Sequence, residues 1–254
     1  MPAKGATELT VRAPLVDGGG GVWVDSVARS FGQLCALEGL SLRVAPHEVV
    51  AVVGPSGCGK TTLLELICGL QNPDAGTVRA DPAALMPQRD LLLPWLSALD
   101  NAGLALRARG AARTQARARA APWFERFGLE GFEDTRPAQL SGGMRQRVSF
   151  LRSLLSGKPV LALDEPFASL DAITRLQMQG WLSEVLAREP RTVVLVTHDV
   201  EEAVVLGDRV VVLSPRPGRA VADIEVELTR PRHRTDPDVV ALRERALEAL
   251  GVGA

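Results

Sequence analysis

The stretch VVAVVGPSGCGKTTLLELIC, residues 49–68, constrains the fold of this chain more than any other. Val49 to Val53 are apolar without alternation, which predicts a strand buried on both faces. Gly54, Pro55, Ser56, Gly57, Cys58, Gly59, Lys60 and Thr61 follow in the spacing G-x-x-x-x-G-K-[ST], and Lys60 to Cys68, beginning Lys60-Thr61-Thr62, reads as a short helix that Gly69 is placed to stop. Strand, glycine-rich loop and helix start together form a phosphate cradle: the glycines let backbone N–H groups approach phosphate oxygens at the positive end of the helix. Lys60 then neutralises the β- and γ-phosphates, and the Thr61 hydroxyl can ligate Mg²⁺.

Composition supports the emphasis on Lys60. Of 29 basic residues only Lys4, Lys60 and Lys158 are lysine, so a retained lysine marks a need for a compact ammonium rather than a guanidinium fork. With 254 residues the chain can bury one core plus a small second lobe, and its net charge of -1 gives no global electrostatic case for nucleic acid or anionic lipid. Cys35, Cys58 and Cys68 are odd in number and form no C-x-x-C pair, which argues against a disulfide framework or a zinc site and suits a reducing compartment. Apolar runs fall well short of the ~18 residues of a spanning helix, so work at a membrane requires a partner. Residues 1–21 lack the apolar centre of a signal peptide and read as a flexible extension.

Further along, Leu40, Leu42 and Val44 alternate with Ser41 and Arg43 as in a strand, and Pro46-His47-Glu48 forms a turn. Ala98 to about Phe127 reads as an alanine- and arginine-rich helical segment, with no acid between Arg107 and Arg119. Arg109, Arg113 and Arg117 recur every four residues and are expected to share one solvated helix face, with a phosphate-contacting patch as the alternative. PVLAL (159–163) and TVVLVT (192–197) read as buried strands, separated by a helix from Ala172 to Arg188. RVVVLS (209–214) is a further strand, and Asp236 to Leu250 a last helix. Strands alternating with helices imply right-handed crossovers and a mainly parallel sheet.

PVLALDEP ends its strand in two carboxylates at the carboxyl end of a parallel sheet, where both can reach a ligand held by the first loop. Asp164 is positioned to hold Mg²⁺, and Glu165 to act as general base on the attacking water, against the plainer reading of an acidic capping turn. LSGGMRQR (140–147) opens a helix at Ser141 with Gly142 and Gly143 baring the backbone, a second anion site without a lysine of its own.

In order and spacing, GPSGCGKT, LSGGMRQR and LALDEP resemble the ATP-binding cassette (ABC) ATPases, from about Val22 to Leu228. The resemblance implies an α/β fold: a P-loop NTPase cassette with a mainly parallel sheet core, an N-terminal antiparallel β portion and an inserted helical lobe. It divides the chain into the extension, a cassette over 22–230 with the lobe at about 95–139, and a helical tail over 231–254. It further implies ATP and Mg²⁺ as ligands, and a head-to-tail homodimer in which Ser141, Gly142 and Gly143 of one copy contact the γ-phosphate held by the Lys60 loop of the other. Gln88 matches the family's Q-loop glutamine, a ligand of Mg²⁺ that also touches the attacking water. Asp171 in SLD (169–171) matches the residue at the dimer seam, and His198 the switch histidine that contacts the γ-phosphate. Phe31 stands where the family carries an aromatic that stacks on adenine, with core packing as its rival. Two residues depart from the family pattern: His47, where glycine is common, and Phe150, where small residues are usual.

MPQRDLLLPWLSALDN (86–101) is too apolar for an ordinary surface loop, and Pro94 keeps it from being a central strand. In the family this segment begins the lobe and forms the groove for the coupling helix of a membrane-spanning partner, so Leu91, Leu92, Leu93 and Trp95 read as a docking surface, or else as the lobe's own core. LLLPWLSALDN and SPRPGRAVADIEVELTRPR resemble, more narrowly, importer ATPases for nitrate, sulfonates, taurine and related solutes. The resemblance thus implies two transmembrane permease subunits, a separate solute-binding protein, and a place on the cytoplasmic face of the membrane held through those partners. The alternatives are a soluble ABC ATPase acting in remodelling or assembly, and a small-molecule kinase, which LSGGMRQR disfavours.

Overall fold

The computed structural model describes residues 21–188 and 191–252, so the expected extension over 1–21 lies outside the described residues apart from Gly21. Two sheets organise the rest. Strands β1 (Val22–Phe31), β2 (Leu34–Val44) and β4 (Ala75–Ala80) form an antiparallel sheet in the order β2-β1-β4. The larger sheet has the order β5-β6-β7-β3-β8-β9, with β3 at Val49–Val53, β5 at Ala83–Met86, β6 at Val160–Asp164, β7 at Thr192–Thr197, β8 at Arg209–Leu213 and β9 at Ala220–Glu225. Its neighbours are parallel except β9, which runs antiparallel to β8.

The unbroken apolar runs are explained by two-sided burial. Val49, Ala51 and Val53 of β3 face one core, and Val50 and Val52 face another. Val193 and Leu195 of β7 divide from Val194 and Val196 in the same way. A strand with apolar layers on both sides has no position left for a polar residue. One layer is closed by the small sheet and helix α1 (Lys60–Ile67), whose Leu63, Leu64 and Ile67 join Leu40, Leu42 and Val44. The other is closed by α5 (Gly142–Leu154), α6 (Ala172–Arg188), α7 (Val200–Leu206) and α8 (Pro237–Ala249), which contributes Val239 and Ala246.

The arginine-rich segment is three helices rather than one: α2 (Ala98–Ala102), α3 (Leu104–Ala108) and α4 (Arg113–Arg126), with α3 ending in a left-handed turn at Gly110. The single shared face is corrected accordingly, while the expected solvation holds for Arg109 and Arg113, which are exposed, with Arg117 half-buried. Arg109 caps α3 and donates to the Ser156 carbonyl at 2.9 Å, whereas Arg113 pairs with the buried Asp100 of α2 at 2.6 Å. Arg117 lies 3.4 Å from Asp100 and 2.7 Å from Asp134. A carboxylate upstream in sequence, placed by the fold of α2 against α4, makes a clamp of what the spacing alone reads as a surface stripe.

The two departures from the family pattern also find their place. His47 has a positive φ of 67°, the conformation that glycine adopts without strain. The bulk of Phe150 fills an aromatic cluster with Phe127 and Trp181, at centroid distances of 5.9 and 5.8 Å.

Candidate functional site

The phosphate loop leaves the carboxyl end of β3 and is wedged from two sides. Gly59 has φ +101°, and a Cβ there would lie 2.5 Å from Leu37 Cδ2 of β2. On the other side, the turn between β8 and β9 brings Gly218 so close that its Cβ would lie 2.0 Å from the Cys58 carbonyl oxygen. Only glycine permits either approach. Sequence reading missed this turn as a support, although the glycine in SPRPGR was its signal. Lys60 is buried, and its ammonium donates to the carbonyls of Gly54 at 2.8 Å and Pro55 at 3.0 Å. Pro55, Ser56 and Gly57 are exposed, Thr62 is half-buried, and Cys58 is buried with its thiol pKa raised by that burial.

The Thr61 hydroxyl donates to Asp164 Oδ2 at 2.8 Å, joining the start of α1 to the end of β6. Burial raises the Asp164 pKa, and the Thr61 hydrogen bond opposes the rise. Hydroxyl and carboxylate oxygens side by side are the hard donor set that Mg²⁺ prefers, and a cation there would relieve the cost of a buried carboxylate, so these residues fit the ion.

Strand order assembles the remaining groups. Because β6 lies between β5 and β7, the residues following these three parallel strands converge. Gln88 Nε2 donates to Glu165 Oε2 at 3.2 Å, and His198 Nδ1 lies 3.2 Å from the same oxygen. Glu165 is anchored to the neighbouring strand by its N–H, which donates to the Val196 carbonyl at 2.8 Å. Its φ of +48° is costly for a residue with a Cβ, and such strain persists where surrounding structure imposes it.

Ser141 caps α5 by accepting the Met144 N–H at 3.2 Å. Ser141 and Gly142 are exposed and Gly143 is half-buried, and a cleft of about 320 Å³ is lined by Gln88, Asp90, Gly142, Arg145 and Ser169. Asp171 heads α6, accepting the N–H groups of Ile173 at 3.1 Å and Thr174 at 3.0 Å; bonding to Thr174, through side chain and backbone, holds its pKa below the usual carboxylate value. Phe31 ends β1 at 43% exposure, which sets aside core packing, and the Arg29 guanidinium lies 4.9 Å from its ring centroid.

A phosphate loop on β3, a hydroxyl–carboxylate pair and a second carboxylate held by a glutamine and a histidine define a nucleoside-triphosphatase site. Residues 37–168 match the ABC transporter family, and the chain belongs to that family as one of its ATP-binding, ATP-hydrolysing cassettes. It is 41% identical over 257 residues to an aliphatic sulfonates import ATP-binding protein of Burkholderia lata, covering 98% of this chain and 90% of the relative. A taurine import ATP-binding protein of Chromobacterium violaceum is 44% identical, with coverages of 84% and 88%. A formylaminopyrimidine import ATP-binding protein of Halalkalibacterium halodurans is 46% identical, with coverages of 75% and 78%. Among solved structures, a dimeric ATP-binding cassette in a post-hydrolysis state bound to ADP and Pi superposes with a TM-score of 0.75 at 29% identity, covering 82% of this chain and all of that one.

Proposed function

We propose that this chain powers an importer, hydrolysing ATP at two composite sites formed between two copies and passing the closure of that dimer to a pair of membrane subunits. The observation that carries the hydrolytic part is the meeting of Gln88 and His198 on one oxygen of Glu165, each at 3.2 Å. Held so, Glu165 takes the proton of the attacking water, while Gln88 and His198 fix its direction. Lys60 holds the β- and γ-phosphates, with backbone N–H groups of the loop from Ser56 to Thr62 around them. Thr61, Asp164 and Gln88 are the residues that would hold Mg²⁺, which when bound draws charge from the phosphates as the bond to the leaving group breaks. Ser141, Gly142 and Gly143 serve the partner copy's nucleotide, Asp171 lies at the seam, and Phe31 stacks on adenine; exposure of Ser141, Gly142, Asp171 and Phe31 supports these roles.

The importer reading rests on the relatives' names and on one surface. No helix of the described residues is long and apolar enough to cross a membrane, so attachment runs through partners. Leu91 is 59% and Trp95 66% exposed on the segment between Gln88 and the helical lobe, an apolar pair suited to receive a helix of a membrane subunit. A separate solute-binding protein delivers the solute, a small organic or anionic compound of the class the relatives import. The test is co-purification from gently solubilised membranes together with ATP-dependent solute uptake. Permease-like and solute-binding chains are expected with the wild type, and uptake is expected to stop with Glu165→Gln. A chain that purifies without membrane subunits and whose loss leaves uptake of such solutes unchanged would sink the proposal.

A further inference from the structure

Helix α5 starts on two glycines behind an exposed cap, Ser141. Helix ends fray, and glycine gives up more conformational freedom on ordering than any other residue, so this start is the part of α5 that most needs outside support. Arg145 supplies it. Its Nη1 donates to the carbonyl of Leu140, the residue directly before Ser141, at 2.8 Å, and its Nε donates to Asp90 Oδ2 at 3.0 Å. The guanidinium also lies beside Gly142, where a Cβ would stand 3.9 Å from Nη2. Asp90, two residues past Gln88, is itself well held. Its Oδ1 accepts the N–H of Leu92, which joins the main core, at 3.2 Å, and its carbonyl accepts Arg152 Nη2 at 2.8 Å. One planar group thus ties the residue before Ser141 to the segment that follows Gln88.

We propose that Arg145 is a positioning residue for hydrolysis at the partner copy's nucleotide: by bridging Asp90 and the Leu140 carbonyl it fixes Ser141, Gly142 and Gly143 in the orientation in which they meet the γ-phosphate. The inference rests on the proposed composite sites, in which these three residues serve the nucleotide held by the Lys60 loop of the other copy. Arg145 is not itself a phosphate ligand, because its charge is already met by the Asp90 carboxylate. The pair is only 35% and 30% exposed, in the cleft that Gln88 and Gly142 also line, so it is sheltered from the screening that makes fully exposed pairs weak. Two acceptors on separate segments are met at once, which a rigid fork does and a single ammonium on a flexible stem does not. Gln88 serves the copy's own site and Ser141 the partner's, so the bridge makes one unit of groups that act in two sites.

The test is Arg145→Met, which keeps much of the stem and removes both bonds, in mixtures that hold one composite site. A Lys60→Ala copy paired with a Ser141→Arg copy has a single site, built from the Ser141 motif of the first and the Lys60 loop of the second. Added to the Lys60→Ala copy, Arg145→Met is expected to lower kcat about tenfold with KM for ATP within about twofold. Added to the Ser141→Arg copy, it should change kcat by less than about twofold, because the motif it supports there is already blocked. That asymmetry separates positioning from a general loss of stability, which would act from either copy. Arg145→Lys in the Lys60→Ala copy should recover little of the loss. Asp90→Ala in that copy should also lower kcat, and adding Arg145→Met to it should lower kcat no further, since either change opens the same bridge. Equal losses from both copies, a loss from the Ser141→Arg copy alone, or unchanged turnover from both would overturn the proposal, as would independent, multiplying losses at Asp90 and Arg145. A parent mixture with no turnover at all would overturn the composite sites themselves, and the proposal with them.

Discussion

Arg152 reaches from α5 to the backbone of Leu91, its Nη1 donating to the Leu91 carbonyl at 2.8 Å while Nη2 donates to the Asp90 carbonyl at 2.8 Å. Seven residues earlier on the same helix, Arg145 Nε donates to the Asp90 carboxylate at 3.0 Å. The helix that begins at Gly142 thus grips the segment after Gln88 at two places. Leu91 needs the grip, because it sits at φ +43°, a conformation that favours glycine. Arg152→Ala is expected to cost about 1–3 kcal/mol and to speed amide exchange across 90–93. Arg152→Lys should recover only part of this, since one ammonium cannot reproduce a planar fork. Denaturant unfolding with hydrogen-exchange mass spectrometry checks both, and unchanged exchange at 90–93 would show the grip to be inconsequential.

Glu165→Gln should lower ATP hydrolysis by ~100-fold or more, because the amide keeps the shape and hydrogen bonds of the carboxylate but takes no proton. ATP binding should survive, and an ATP-bound dimer should accumulate. Single-turnover hydrolysis and size-exclusion chromatography with ATP measure the two effects. Turnover like the wild type would remove Glu165 from the role of base.

Ser141→Arg places a bulky cation at the start of α5, where Ser141 is exposed and bonded only to its own helix turn. Hydrolysis should stop while the isolated monomer binds nucleotide normally, since the Lys60 loop of the same copy is untouched. Lys60→Ala should instead lose binding. Mixed, the two variants should leave one intact composite site per heterodimer, and measurable turnover in the mixture is the expected result. Equal loss of ATP affinity in both monomers would mean that the two motifs serve one site within a single copy.

The parts of this fold legible in the sequence were those whose signal is local. The runs at 49–53 and 192–197 announce buried strands because two apolar layers leave no room for polar alternation, and the loop from Gly54 to Thr61 is fixed by its own glycines. Strands β4, β5 and β9 carried no such signal. AGTVRA is exposed almost throughout, AALM spans only four residues, and β9 buries only Ile224, so pairing partners rather than their own periodicity make them strands. The convergence of Gln88, Glu165 and His198 depends on strand order, which no single segment encodes. Asp100 shows the same limit, because its partners Arg113 and Arg117 meet it only after the lobe has folded.

That pair makes the helical lobe acid-sensitive. Hydrogen bonding from Arg113, with help from Ser97 and Arg117, lowers the Asp100 pKa from 3.8 to about 2. A lowered folded-state pKa contributes stability that is present above 3.8 and is lost as pH falls through about 2. Between those values the wild type should lose stability more steeply than Asp100→Asn, which has no charge to lose but is weaker at neutral pH. Fluorescence of Trp123 on α4 during acid titration follows the lobe. Parallel acid profiles for the two proteins would detach Asp100 from this behaviour.

The apolar segment after Gln88 divides into two kinds of residue, and the division corrects the reading of the leucines as one surface. Leu92 is only 8% exposed and joins the main core, whereas Leu91 and Trp95 are 59% and 66% exposed. Asn101 shapes the stretch between them, accepting the Leu93 N–H at 2.8 Å and donating to the Leu93 and Leu96 carbonyls at 3.1 and 3.3 Å. Leu92→Glu should therefore destabilise the protein by several kcal/mol, because it buries an unpaired charge. Leu91→Glu with Trp95→Ala should leave the melting temperature and ATP binding near those of the wild type, since neither side chain is packed inside. The double variant should nonetheless fail to co-purify with membrane subunits and fail to support uptake, because a charge then faces the partner's apolar helix. Unfolding of the double variant would show that Trp95 is structural after all; a folded double variant that still binds its membrane subunits would move the docking surface elsewhere on the cassette.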